Sequence, residues 1–179
     1  MGKVLHYTEF GISHTEVPSE VALCIYISGC QNRCIECHYP ELQQTDYGEL
    51  MSEYFEQILD LYHEYTTCVC FMGEGEQSEI VRRELLAYVQ ESQNRGYTCC
   101  LYSGRDVEIE EWMKVFDYVK IGSYQKDKGA LCERTTNQHM WKRMNNGSYE
   151  DITYQFWNED YIILLLRSKE SCEKQIPEA

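Results

Sequence analysis

Basic residues are scarce in this chain. Of 179 residues, 16 are Lys or Arg against 30 Asp or Glu, a net charge of −14 with neutral histidines. A nucleic-acid interface needs clustered cations, so this balance argues against one. It suits solubility and a partner with a basic face. No apolar stretch reaches the roughly 20 residues of a membrane span. The opening Met1-Gly2-Lys3-Val4-Leu5-His6-Tyr7 lacks the long apolar core of a secretory leader. Internal repeats, low-complexity tracts and linkers are also missing. One domain in the cytoplasm is therefore expected, and 43% hydrophobic residues suffice for a sizeable core.

Cysteine, by contrast, is plentiful, with ten residues. With no sign of export, a disulfide framework is not expected. Three of the ten lie close together in Ile27-Ser28-Gly29-Cys30-Gln31-Asn32-Arg33-Cys34-Ile35-Glu36-Cys37-His38-Tyr39-Pro40. The spacing is C-x3-C-x2-C. Three thiolates on one tight loop can hold three irons of a cubane cluster and leave the fourth without a protein ligand. A tetrahedral zinc site with His38 as fourth ligand is the competing reading. The others (Cys24, Cys68, Cys70, Cys99, Cys100, Cys132 and Cys172) mostly lie in apolar or strand-like runs and read as small buried hydrophobes. Cys99 and Cys100 are adjacent in an expected strand, so they face opposite sides.

Val21–Ser28 is a continuous apolar run, as in a strand buried on both faces. Leu50, Tyr54, Ile58, Leu61 and Tyr65 fall at helical spacing between about 48 and 65. Strands are expected at 67–72, 98–102 and 118–121. A helix is expected at about 78–95, with Ile80, Val81, Leu85, Tyr88 and Val89 inward and Gly96 as its stop. A short helix carries Ile109, Trp112, Met113 and Phe116. Alternating strands and helices predict an α/β fold with a parallel sheet. Ligands gather beyond the carboxyl ends of such strands. The cysteine loop, Gly73 to Glu76, Ser103-Gly104 and Gly122-Ser123 all fall there. Further on, 151–157 and 161–166 read as a hairpin, with helix an alternative for the second run.

With these motifs in place, the chain resembles the activating proteins of anaerobic ribonucleotide reductases. These are radical S-adenosylmethionine (SAM) enzymes of the glycyl-radical activase group. The resemblance runs from about Gly11 to Trp157. It rests on Cys30, Cys34 and Cys37, on Cys37-His38-Tyr39-Pro40-Glu41-Leu42, on Phe71-Met72-Gly73-Glu74-Gly75-Glu76 and on Tyr97–Gly104. Lys120-Ile121-Gly122-Ser123-Tyr124 and Thr135-Thr136-Asn137-Gln138 point to the reductase branch. Glu36 replaces a frequent aromatic residue, and Tyr102 stands where relatives often carry an acid.

The resemblance implies a partial parallel (β/α) barrel, with a core at about 20–125 and a small C-terminal β extension at about 126–179. It implies a 4Fe-4S cluster on Cys30, Cys34 and Cys37. It also implies SAM contacts from Glu36 (through its backbone), His38, Gly73, Glu74 and Gly75. By their strand positions Ser103 and Lys120, the latter toward the SAM carboxylate, are further candidates; a plain polar turn at 73–76 and at Ser103, and a solvated or ion-paired Lys120, are the alternatives. Reductive cleavage of SAM would then place a glycyl radical on the reductase, with a flavodoxin-type electron donor. No side-chain acid or base is required. Two alternatives stay open: a radical SAM enzyme acting on a small molecule, as a deazapurine synthase does, and a non-enzymatic zinc module.

Overall fold

Alternation of side chains along four short strands organises the molecule. In the computed structural model, which describes residues 4–157, the strands are β1 (His6–Ser13), β2 (Ala22–Ile27), β3 (Glu49–Leu50), β4 (Cys68–Met72), β5 (Thr98–Tyr102), β6 (Tyr118–Ile121), β7 (His139–Arg143) and β8 (Tyr149–Asp151). They form one sheet in the order β3-β1-β2-β4-β5-β6-β7-β8. The central β2, β4, β5 and β6 run parallel. β1 and β7 pair antiparallel at the two sides of this parallel block. The protein is thus a mixed α/β fold whose parallel part is four strands wide.

Leu23, Ile25 and Ile27 of β2, Val69 and Phe71 of β4, Cys99 and Leu101 of β5, and Val119 and Ile121 of β6 share one core. Helices α1 (Met51–Tyr62) and α2 (Glu79–Asn94) cover that face. α1 buries Met51, Phe55, Ile58 and Leu59, the i, i+4, i+7, i+8 stripe of an amphipathic helix. Leu61 and Tyr65 are exposed, so the buried stripe is shifted from the one expected. α2 opens on Ser78, whose hydroxyl accepts the Val81 N–H at 3.3 Å. It ends before Gly96 in a left-handed conformation (φ 88°). Its expected inward residues are buried except Ile80.

The opposite face of the same strands carries Ala22, Cys24, Cys68, Cys70, Cys100 and Tyr118. Val17, Met140, Ile152 and Phe156 cover it instead of a helix. Cys99 and Cys100 do lie in different cores. Cys24, Cys68, Cys70, Cys99 and Cys100 are buried, and burial pushes the Cys99 and Cys100 thiols up to about 12. They are packing residues with inert thiols. Cys132 is only half-buried, and Cys172 lies outside the described residues.

Three expectations are corrected. The short helix near 109–116 is a 3-10 turn at Glu111–Val115. The expected strand at 151–157 ends at Asp151, and Thr153–Trp157 is another 3-10 turn. Asp151 itself causes this, because its carboxylate accepts both the Thr153 N–H (2.9 Å) and hydroxyl and so bends the chain. The C-terminal hairpin is formed earlier, by β7 and β8. The expected second strand at 161–166 falls outside the described residues.

Candidate metal centre

The loop that carries the three thiols is pinned at its base. The Gly29 and Cys30 N–H groups both donate to the Leu42 carbonyl, at 2.7 and 2.8 Å. The Ser28 hydroxyl donates to the Tyr47 carbonyl at 2.6 Å. A left-handed residue precedes each cysteine: Gly29 (φ 94°) before Cys30, Arg33 (φ 47°) before Cys34 and Glu36 (φ 60°) before Cys37. Non-glycine residues hold that conformation at a cost of about 1–3 kcal/mol each. Such left-handed alternation builds backbone concavities that bind anions, iron–sulfur clusters among them. The Asn32 backbone works to lower the Cys30 pKa. Burial outweighs this and, helped by the charges of Cys34 and Cys37, raises the Cys30 thiol overall. The thiolates that a cluster requires must therefore be stabilised by its irons, with protons released on binding. Among the described residues, no three His, Cys, Asp or Glu side chains are gathered tightly enough to chelate an ion. Cluster binding would draw the loop thiols closer. An all-sulfur donor set on left-handed backbone fits an iron–sulfur cluster.

Neighbouring strand-end loops hold this one in place. A side chain on Gly29 would strike the Glu76 N atom at 2.8 Å, so the first cysteine is seated directly on the loop after β4. The Asn32 amide sits over Gly104, in the loop after β5. The Glu36 carboxylate pairs with Lys126, in the loop after β6, at 2.7 Å. Both partners are at least half exposed, so this bridge orients more than it stabilises. The His38 ring packs on Tyr124 at 4.9 Å. All four expected loops thus meet at one edge, the carboxyl edge of the parallel strands.

Two clefts open there, and Cys34 lines both. The outer one, about 840 Å³, includes Asn32, Ile35, Glu36, Arg105, Asp106 and Tyr124. The inner one, about 450 Å³, includes Glu16, Cys37, His38, Tyr102, Lys120 and Cys132. Cys30, Gly73, Glu74 and Gly75 line a small pocket beside them. Lys120 is 6% exposed, and its ammonium donates to the Gly122 carbonyl at 2.7 Å. Desolvation lowers its pKa to about 8, against the opposing pull of Cys34, Asp106 and Glu16.

Ser103 is fully buried. Its hydroxyl accepts the Arg105 N–H at 3.2 Å, so it braces a turn and lines neither cleft. Glu74 is taken up by Arg105, whose Nε donates to both its oxygens at 3.0 and 3.1 Å. The other edge of the same guanidinium grips Glu110 at 2.7 and 3.1 Å. The sequence reading missed Arg105, Asp106 and Glu16, because nothing in the spacing of isolated charges shows which loops will touch. Asp106 accepts the Ser123 hydroxyl (2.7 Å) and N–H (2.9 Å), which lowers its pKa.

Glu110 yields a pH prediction. Hydrogen bonds from Arg105, then Trp112, hold its carboxyl at about 2, against an ordinary value of 4.5. A depressed folded-state pKa gives stability that is present above about pH 4.5 and lost as pH falls toward 2. The melting temperature of the cluster-free protein should fall through that window, and Glu110→Gln should flatten part of the fall. Identical acid limbs for the two proteins would refute this role.

An α/β sheet with three thiols on a pinned loop at one strand end is the frame of an iron–sulfur protein. A model of the 4Fe-4S single cluster domain matches residues 20–138, and the chain belongs to that family. No curated protein and no solved structure matches the chain.

Proposed function

We propose that the protein is a radical SAM activase that installs a glycyl radical on an anaerobic ribonucleotide reductase. The observation that carries this reading is the C-x3-C-x2-C loop itself. A left-handed residue precedes each cysteine, and the loop sits at the carboxyl end of the first parallel strand, where both clefts open. When bound, the cluster supplies an electron to the SAM sulfonium from an iron that this loop leaves free. In this reading the four parallel strands are a shortened barrel, with β1 and β7 standing in for further parallel units.

The chain's own residues position and exclude. Lys120 meets the SAM carboxylate with the N–H donors that Gly122 leaves unused. Contacts to the amino group fall to the backbone of Gly73 to Gly75, because the Glu74 carboxylate is engaged by Arg105. His38 and the Glu36 backbone border the two clefts, and Tyr102 and Tyr124 wall them against water. The outer cleft is left for the glycine-bearing loop of the reductase, and a flavodoxin-type donor supplies the electron.

The reading is tested by mixing reconstituted protein, SAM, a reductant and the reductase. A glycyl-radical signal in electron paramagnetic resonance (EPR) that requires all four supports it. SAM cleavage without any radical on the reductase refutes the assigned partner and favours a small-molecule substrate. Lys120→Met should weaken SAM binding to the loaded protein about 10- to 100-fold, the equivalent of one lost charged hydrogen bond of about 1.5–3 kcal/mol. Unchanged affinity by equilibrium dialysis would remove Lys120 from the site.

A further inference from the structure

A glycine is required where the backbone turns left-handed or where a neighbour leaves no room for Cβ. Gly104 is of the second kind. It is absent from the left-handed glycines, so alanine could adopt its backbone. A Cβ there would lie 2.3 Å from Asn32 Nδ2 and 3.5 Å from Asn32 Cγ, and its three nearest atoms all belong to Asn32. The gap at residue 104 therefore admits one group, the Asn32 amide.

We propose that Asn32, seated in this gap, donates an amide N–H to a sulfur of the bound cluster and raises the cluster's reduction potential. The inference rests on membership of the 4Fe-4S family and does not need the SAM reading.

Asn32 stands between Cys30 and Cys34 in the loop. It lines the small pocket with Cys30 and the outer cleft with Cys34, and Gly104 lines both as well. The amide thus sits at the divide between the first two cluster thiols. Its polar neighbours are committed elsewhere. Arg105 grips Glu74 and Glu110, Asp106 holds Ser123, and Glu36 pairs with Lys126. Gln31 Oε1 accepts the Gln77 N–H at 3.4 Å. The Asn32 amide is half-buried and donates to no described residue. Thiolates and cluster sulfides are negatively charged acceptors, the kind of partner that this amide lacks in the cluster-free chain.

The direction of the effect follows from charge. Reduction adds one electron to the cluster and deepens its negative charge. An N–H donor to sulfur stabilises the reduced form more than the oxidised one, so the midpoint rises. The chain's net charge of −14 works the other way, which gives a local donor its value.

The test is a redox titration, with mediators poised by dithionite and the reduced cluster read by EPR. It compares reconstituted wild type, Asn32→Ala, Gly104→Ala and the double variant, all without SAM. Iron and sulfide are measured on each sample. A methyl at 104 meets only the end of the Asn32 side chain, which can rotate away, so cluster-free Gly104→Ala should melt close to wild type. Both single variants should titrate at a more negative midpoint than wild type. The double variant should match Asn32→Ala, because both substitutions remove one contact. An Asn32→Ala midpoint equal to that of wild type overturns the donor, and would leave the amide to an occupant of the outer cleft. A Gly104→Ala shift that adds in full to that of Asn32→Ala overturns the seat. A wild-type chain that takes up no iron overturns the cluster assignment and this inference with it, an outcome that the iron analysis separates from the other two.

Discussion

Cys30→Ala, Cys34→Ala and Cys37→Ala should each bring SAM cleavage down to background and reduce bound iron well below the roughly four per chain of a cubane. The reason is the sharing of labour on the loop. Gly29, Arg33 and Glu36 each make a left-handed turn just before a cysteine, and the cluster of the proposed chemistry draws on all three thiolates. Removing a single thiolate leaves an iron without its anchor and opens the cluster to solvent. The cluster-free variants should melt close to wild type, because none of the three side chains belongs to a core cluster. Iron and sulfide analysis beside a thermal melt separates lost chemistry from lost fold. A Cys34→Ala protein with full SAM cleavage would be incompatible with the proposed chemistry.

Arg105→Met should cost about 3 kcal/mol, near the low end for breaking a buried ion pair by removing one partner. For a chain of this length that lowers the melting temperature by about 6–12 °C. Arg105 and Glu74 are 14% and 9% exposed, so the variant strands a carboxylate away from water, next to Cys30 and Gly75. Glu110 loses its partner too, but it is more exposed and can return to solvent. The loop after β4 is the seat of Gly29, so cluster retention should fall along with stability. Adding Glu74→Gln should recover much of the loss, because it removes the stranded charge. A single variant as stable as wild type would show that the pair carries no structural burden.

The parallel core was legible because its signal is redundant. β5 and β6 span the expected 98–102 and 118–121, and β4 starts one residue later than expected. Continuous apolar runs of four to six residues bounded by polar turns leave little choice between strand and helix. The flanking strands were not legible. β7 reads His-Met-Trp-Lys-Arg, with Met140 alone fully buried. β1 is bulged between Tyr7 and Phe10, which breaks its alternation. Hydrogen bonding to a neighbour, rather than hydrophobic pattern, defines such strands.

The site divides in the same way. The cysteine triplet is local and could be read directly. Its companions could not, because pairs such as Glu74 with Arg105 meet only after the sheet has aligned its loops. Ser103 shows the converse: its position at a strand end is as expected, and its hydroxyl oxygen accepts the Arg105 N–H within the turn.

The most direct measurement is anaerobic reconstitution with iron and sulfide, an absorption spectrum with metal analysis, and then addition of dithionite and SAM. The account predicts a brown protein with about four irons per chain that releases 5′-deoxyadenosine and methionine. A colourless protein that binds one zinc and leaves SAM intact would contradict it, and would make Cys30, Cys34, Cys37 and His38 a structural clip.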